Sequence, residues 1–207
     1  MNSDTALESW RDFAVGPHLR RKIGWTGAGT ETFTAEQAQQ FEAALLDADI
    51  GAIEDESELI DLIDELVAMQ FPEAAFTLFQ RHRDLWSGHE FRGELAMGVA
   101  AMLTGRLELA IPRFEAAHAL LPKEPAPLVN LVQIHLARES YDLAMAWAEK
   151  GLKNEKNHLH LWDLYAQGVQ AQATSSEPWA PVKSLARELD SWAGQLLMCD
   201  CLLYTSP

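Results

Sequence analysis

Apolar residues recur every three or four positions along most of this chain, a spacing that predicts helices and no sheet. Ala38, Phe41 and Leu45 form one such stripe. They follow Thr34-x-x-Gln37, the form of a capping box, so a helix is predicted from Thr34 to about Asp47. Asp55-x-x-Glu58 repeats the signal ahead of Leu59, Leu62, Ile63 and Leu66, giving a second helix to about Gln70. Pro72 suits the first position of the next helix, where its missing N–H costs nothing, and Ala75, Phe76 and Phe79 supply the apolar face. Residues 91–122 and 125–157 each read as two helices, and a further helix opens at Trp162. Val182, Leu185, Leu189, Trp192 and Leu196 predict a last helix over 182–197, after a break from Thr174 to Pro181. Ahead of Thr34 lie Gly16-Pro17, Gly24, Gly27 and Gly29, which predict a short helix around Leu7, Trp10 and Phe13 followed by loop.

The helices come in pairs of similar length. Matching Ala74 to Ala110 and Ala144 gives offsets of 36 and 34 residues. Within the middle pair, Met97-Gly98 is a large apolar residue followed by a small one, Gly105 falls at the turn, and Ala110-x-x-x-Phe114, Ala117 and Pro122 follow. This pattern resembles the tetratricopeptide repeat, whose period is about 34 residues. Tyr141 and Ala144 keep the pattern in the next pair, with Glu139 in place of the turn glycine and Ala148 in place of the aromatic; Trp162, Tyr165 and Ala166 begin a further copy. The resemblance implies an all-α fold, a short helical-hairpin solenoid of about three repeats with an N-terminal arm and a C-terminal capping helix. Residues 1–50 are expected to be the arm and first helix, 51–198 the repeat domain, and 199–207 a non-native tail, since Cys199 to Pro207 depart in composition and continue no stripe. On that expectation the natural chain continues past Met198.

Charge divides the chain. Of a net −15, the stretch from Ile23 to Gln80 holds thirteen carboxylates and no Lys or Arg. An acidic surface repels phosphate backbones, which disfavours nucleic acid as a partner, whereas a basic protein segment is drawn to it; solvated helix faces account for the same residues equally well. No apolar run approaches the ~20 residues that span a bilayer, and Met1 to Trp10 lack the order of a signal peptide, so a cytoplasmic location is expected. Cys199 and Cys201 are too close in sequence for ordinary disulfide geometry.

Candidate chemistry is thin, and no enzymatic activity, metal or cofactor is expected. Gly24 to Thr30 is glycine-rich but lacks the Gly-Lys-Ser/Thr ending and the preceding strand of a phosphate loop. His158, His160 and Asp163 lack a fourth ligand at suitable spacing. Asp61 with Asp64 or Glu65 sits beside an apolar stripe on a wet helix face, where no carboxyl is raised for acid–base work. Seven tryptophans are many for this length; Trp162 and Trp192 lie on stripes, while Trp25 and Trp179 fall in loops, where aromatic residues can anchor a partner.

The resemblance also implies a site. In tetratricopeptide proteins the first helices of successive hairpins line a concave groove that holds an extended peptide or a helix. Those positions are Leu59, Ile63 and Leu66 in the first hairpin, and Arg92, Leu95, Val99 and Met102 in the second. The third supplies Ala126, Val129, Asn130, Gln133 and Leu136, and the last helix His160, Asp163 and Gln167. Family members that clamp a C-terminal carboxylate carry Lys and Asn where this chain has Leu95 and Val99. The expected function is a protein-interaction scaffold or adaptor for a peptide or apolar helix with basic flanks. The alternatives are a secretion-type chaperone or an accessory domain of a longer protein. The arm over residues 1–50 is a competing occupant of the groove.

Overall fold

The computed structural model describes residues 7–27, 29–48, 52–173 and 177–205, with side chains through Cys199. Ile50, Thr174, the side chain of Cys201 and the end of the expected tail therefore lie outside what is described. The chain divides into two compact units, Met1–Arg113 and Phe114–Pro207. Among the described residues there are helices and one isolated bridge, Phe13 to Glu31, and no strand.

The first unit begins with a 3-10 turn at Glu8–Trp10 and a short helix α1, Pro17–Lys22. It continues with α2 (Ala35–Asp47), α3 (Glu56–Ala68), α4 (Pro72–Arg81), a 3-10 turn Arg83–Leu85 and α5 (Phe91–Leu103). The next helix, α6 (Leu107–Leu120), contains the boundary between the units. The predicted capping box forms: the Gln37 amide donates to Thr34 Oγ1 at 3.3 Å, and the Thr34 amide to Gln37 Oε1 at 2.9 Å. At α3 the device is half shifted. Asp55 accepts from the Glu58 amide, but the Glu58 carboxylate accepts from Glu54, one residue outside the cap.

Helices α3 and α4 pack as a hairpin, and α5 packs on both. Each first helix thus touches its own partner and the next first helix, the stacking of a helical-repeat array. The arm extends the same scheme backwards, with α1 on α3 and α2 on α4. It has its own aromatic core: Phe33 stacks on Phe13 with centroids 4.5 Å apart, and Phe41 meets Phe71 of the first hairpin at 5.3 Å. Trp25 lies 6.1 Å from Phe41, and Arg20 stacks over it while donating to Gly27 O. The glycine-rich loop is therefore a clasp around a buried arginine.

The second unit continues α6 from Phe114 and adds α7 (Pro125–Ala137), α8 (Tyr141–Asn154), α9 (Leu159–Gln172), α10 (Ala180–Glu188) and α11 (Trp192–Thr205). Here α7 and α8 pair and α9 packs on both, around a core that includes Val132, Ala144, Leu161 and Trp162. The C-terminal segment does fold back on α9, but as two helices rather than one over 182–197. Asp190 takes a left-handed φ of 49° and ends α10. Ser191, fully buried, then caps α11 by accepting from the Gly194 amide at 3.0 Å, and its hydroxyl also receives the Trp162 indole N–H at 3.1 Å. The reversal changes the face of the stripe. Val182 and Leu185 are buried, whereas Trp192 and Leu196 are 56% and 51% exposed.

Turn geometry fixes the repeat register. Gln70, Gly105 and Glu139 have φ of 64°, 74° and 57° at the reversals of three successive hairpins, spaced 35 and 34 residues apart. Five residues after each lie Ala75, Ala110 and Ala144, all fully buried. The match of Ala74 to Ala110 is therefore one residue early, and Ala75 is the equivalent position.

Two measurements check this packing. A left-handed non-glycine residue costs about 1 kcal/mol, so Glu139→Gly should raise stability by about that much in urea denaturation; no gain would mean that the turn is not under strain. Phe114 is fully buried. Phe114→Ala should cost about 3 to 5 kcal/mol, and a loss under 1 kcal/mol would show that its surroundings collapse onto the space.

Candidate partner-binding face

The corrected register moves the first hairpin's face. Leu59, Ile63 and Leu66 are 0%, 0% and 2% exposed and lie in the core, so they offer a partner no surface. One residue along, Ser57, Ile60, Asp64 and Val67 take the equivalent positions. Asp64 and Val67 are half-buried, Ser57 is exposed, and Ile60 is buried at 4%. The cause is the mismatch at Ala74: side chains one residue apart on a helix point about 100° apart, which exchanges core for face.

On α5, Arg92 is exposed and Leu95, Val99 and Met102 are half-buried. Arg92 reaches back to α3, bonding Asp61 Oδ1 at 3.0 Å and Asp64 Oδ2 through two nitrogens. Burial pushes the Asp64 carboxyl up from its ordinary value, against Arg92, which pulls it down. Arg92 is held charged chiefly by Asp64, then by Asp61. The two shifts differ because Arg92, with its side chain 58% exposed, loses little water, while Asp64 loses more. Such a pair orients the helices more than it stabilises them. Beside it, Asp55, Glu56, Ser57, Ile60, Glu90 and Arg92 line a recess with carboxylates on its rim.

The arm meets the other edge of α3. Glu65 accepts from the backbone amides of His18 and Leu19, both at 2.9 Å, and lies 2.7 Å from His18 Nδ1. Lys22 pairs with Glu58 at 2.7 Å and is the main reason the Glu58 carboxyl sits below its ordinary range. His18 also approaches Asp61, so the arm and Arg92 share one carboxylate.

In the second unit, Ala126, Val129, Asn130, Gln133 and Leu136 are half-buried along α7, and His160, Asp163 and Gln167 are exposed on α9. Gln133 and His160 lie 3.3 Å apart, which brings the two helices' positions together. Asn130 donates to Ala126 O of its own helix at 2.9 Å. His158 accepts from the Leu161 amide as the cap of α9. Among the described residues no three His, Cys, Asp or Glu side chains are arranged to hold a metal.

Within each unit, a hairpin reversed by a left-handed residue thus packs its first helix on the next first helix, and along the chain the three reversals recur at 35 and 34 residues. Residues 101–168 match the family model of the tetratricopeptide repeat. The match bears out the resemblance and runs from the end of α5 through α6, α7 and α8 into α9. Searches of curated proteins and of solved structures return no match. Tetratricopeptide repeats generally mediate protein–protein interaction, and folds of this kind are typically scaffolds without catalysis. No helix among the described residues is long and apolar enough to cross a membrane.

Sequence reasoning missed two features. The acids Asp61 and Asp64, read as a wet face, are the partners of Arg92. Trp86 is tied to Glu94, a carboxylate only 1% exposed, by a 3.0 Å hydrogen bond. An acid near the start of the otherwise apolar run 93–103 was the available signal.

The titratable groups buried in the repeat region give a pH prediction. His118 and His135 are 7% and 8% exposed, and among the described residues neither Nδ1 has a hydrogen-bond partner. Burial lowers both below the usual imidazole range, helped by Lys150 for His118 and by Arg138 for His135, with Glu115 opposing the latter. A depressed histidine disfavours the protonated folded state. Stability should therefore be full above about pH 6.5 and fall as pH drops below it towards the folded-state values. Thermal melts at pH 7.5 and 5.5 check this, and His135→Gln should reduce the difference; an unchanged midpoint in the parent protein would show that these rings reach water before unfolding.

Proposed function

We propose that the chain is an interaction scaffold or adaptor that holds a peptide or helix of a partner protein along the first-helix face of its repeats. The observation that carries the reading is on α5. Leu95, Val99 and Met102 keep part of their surface exposed in a row, while Ala96, Met97, Ala100 and Ala101 on the opposite side of the same helix are buried. A partner helix with an apolar stripe would complete their burial. In the second unit, Val129, Asn130, Gln133 and Leu136, with His160, Asp163 and Gln167, supply a more polar face of its own, suited to backbone and amide contacts.

The recess at Glu56, Glu90 and Ile60 gives the partner's charge. Its carboxylates favour Lys or Arg flanking the apolar stripe, which would speed association and set orientation more than add affinity. In this reading the arm is not the occupant of the face, which is consistent with α1 packing on α3 and α2 on α4. Leu59, Ile63 and Leu66 are not part of the proposed face.

Capture of partners by affinity purification tests the reading. Leu95→Glu and Val99→Glu should each abolish capture and leave helical circular dichroism unchanged. If either variant unfolds, the residue is core and the face lies elsewhere; if both fold and capture persists, the partner binds another surface.

A further inference from the structure

The connection from α4 to α5 is nine residues long, 82–90, where α6 to α7 and α8 to α9 are joined by four. Stacking hairpins does not require the excess. It folds into the 3-10 turn Arg83–Leu85 and sets Trp86 edge-on to Phe79, with centroids 5.0 Å apart. The Trp86 ring comes so close to α5 that a Cβ at Gly93 would stand 2.6 Å from it. Glycine makes that approach possible. Glu94, next along, receives the Trp86 indole N–H and both bonds of Arg113, at 3.0 and 3.1 Å. The Arg113 guanidinium lies over Phe79 and Trp86, 5.2 and 5.7 Å from the ring centres.

This scaffold leaves a cavity of about 210 Å³ within the first unit. Phe76, Phe79, Met97 and Ala101 form its floor, and Leu109, 50% exposed, its outer wall. Gln80, Arg83 and Arg113 stand at the rim. The charge of Arg113 is matched by Glu94, but among the described residues Arg83 has no carboxylate partner, and no acid lines the cavity. The space is smaller than the ~300 to 1,000 Å³ of sites for drug-sized ligands, so it suits a body about the size of one aromatic side chain.

We infer that the α4–α5–α6 cavity is a second binding site, distinct from the first-helix face, for a small carboxylic acid with an apolar body. The body fills the cavity against Phe76, Phe79 and Leu109, and the carboxylate reaches Arg83, whose planar fork matches its geometry. A basic rim in an otherwise acidic chain selects the anion over its neutral analogue.

Calorimetric titration of the full chain with 4-phenylbutanoate and with 4-phenylbutanamide tests this. The acid should bind saturably and the amide about two- to fivefold more weakly, the range for one partly exposed charge pair. Arg83→Gln, at an exposed turn residue, should bring the acid to the amide's affinity and leave the amide unchanged. Leu109→Ala should weaken both alike. Equal affinity for acid and amide, an acid affinity unaffected by Arg83→Gln, or no saturable binding would each overturn the inference. Val99→Glu should leave the titration unaltered, which separates this site from the partner face.

Discussion

Each helical hairpin here reverses through one residue in the left-handed region, and the rest of the structure depends on where that residue falls. Gln70, Gly105 and Glu139 set the phase of the second helix against the first, and hence which side chains meet between helices. Only glycine is free of steric cost at such a position, yet two of the three hairpins accept the cost with a long polar side chain. Packing sustains them: Ala75, Ala110 and Ala144, one per reversal, are buried completely at the same distance from the turn. The smallness of alanine and the sign of one dihedral angle together decide what becomes core and what becomes face.

Much of the helix map was legible because its signals are local. Thr34, Asp55 and Pro72 mark starts by hydrogen-bond chemistry that needs no tertiary context, and each does so in the structure. The register of the first hairpin was not legible. Ala74 and Ala75 are adjacent and chemically identical, and only the φ of Gln70 distinguishes them. That single ambiguity put Leu59, Ile63 and Leu66 on a surface they do not occupy. The break at Asp190 was hidden for a similar reason, since neither Gly nor Pro punctuates a stripe that looks continuous.

The candidate face was legible in its positions and not in its electrostatics. Arg92 stood out as a face residue, but its engagement with Asp61 and Asp64 depends on two helices meeting across 28 and 31 residues of chain. Trp86 was one of seven tryptophans, with nothing in the sequence to say that it would fold back over Gly93. Local patterns name helices and their apolar sides. Partners of charged and aromatic groups are set by contacts between elements, and those emerge only with the fold.

The ion pairs of the first unit also bear on how it folds. Thirteen carboxylates lie in a stretch without a cation, and their counter-charges arrive from either side: Lys22 to Glu58, Arg92 to Asp61 and Asp64, and Arg106 to Glu73. Unpaired, that stretch is a polyanion that swells by self-repulsion and resists collapse. Pairing of these four carboxylates requires arm, first hairpin and second hairpin to come together, which couples their assembly. Separation of charge along the chain acts as a brake on partial folding, released only when residues distant in sequence come into contact.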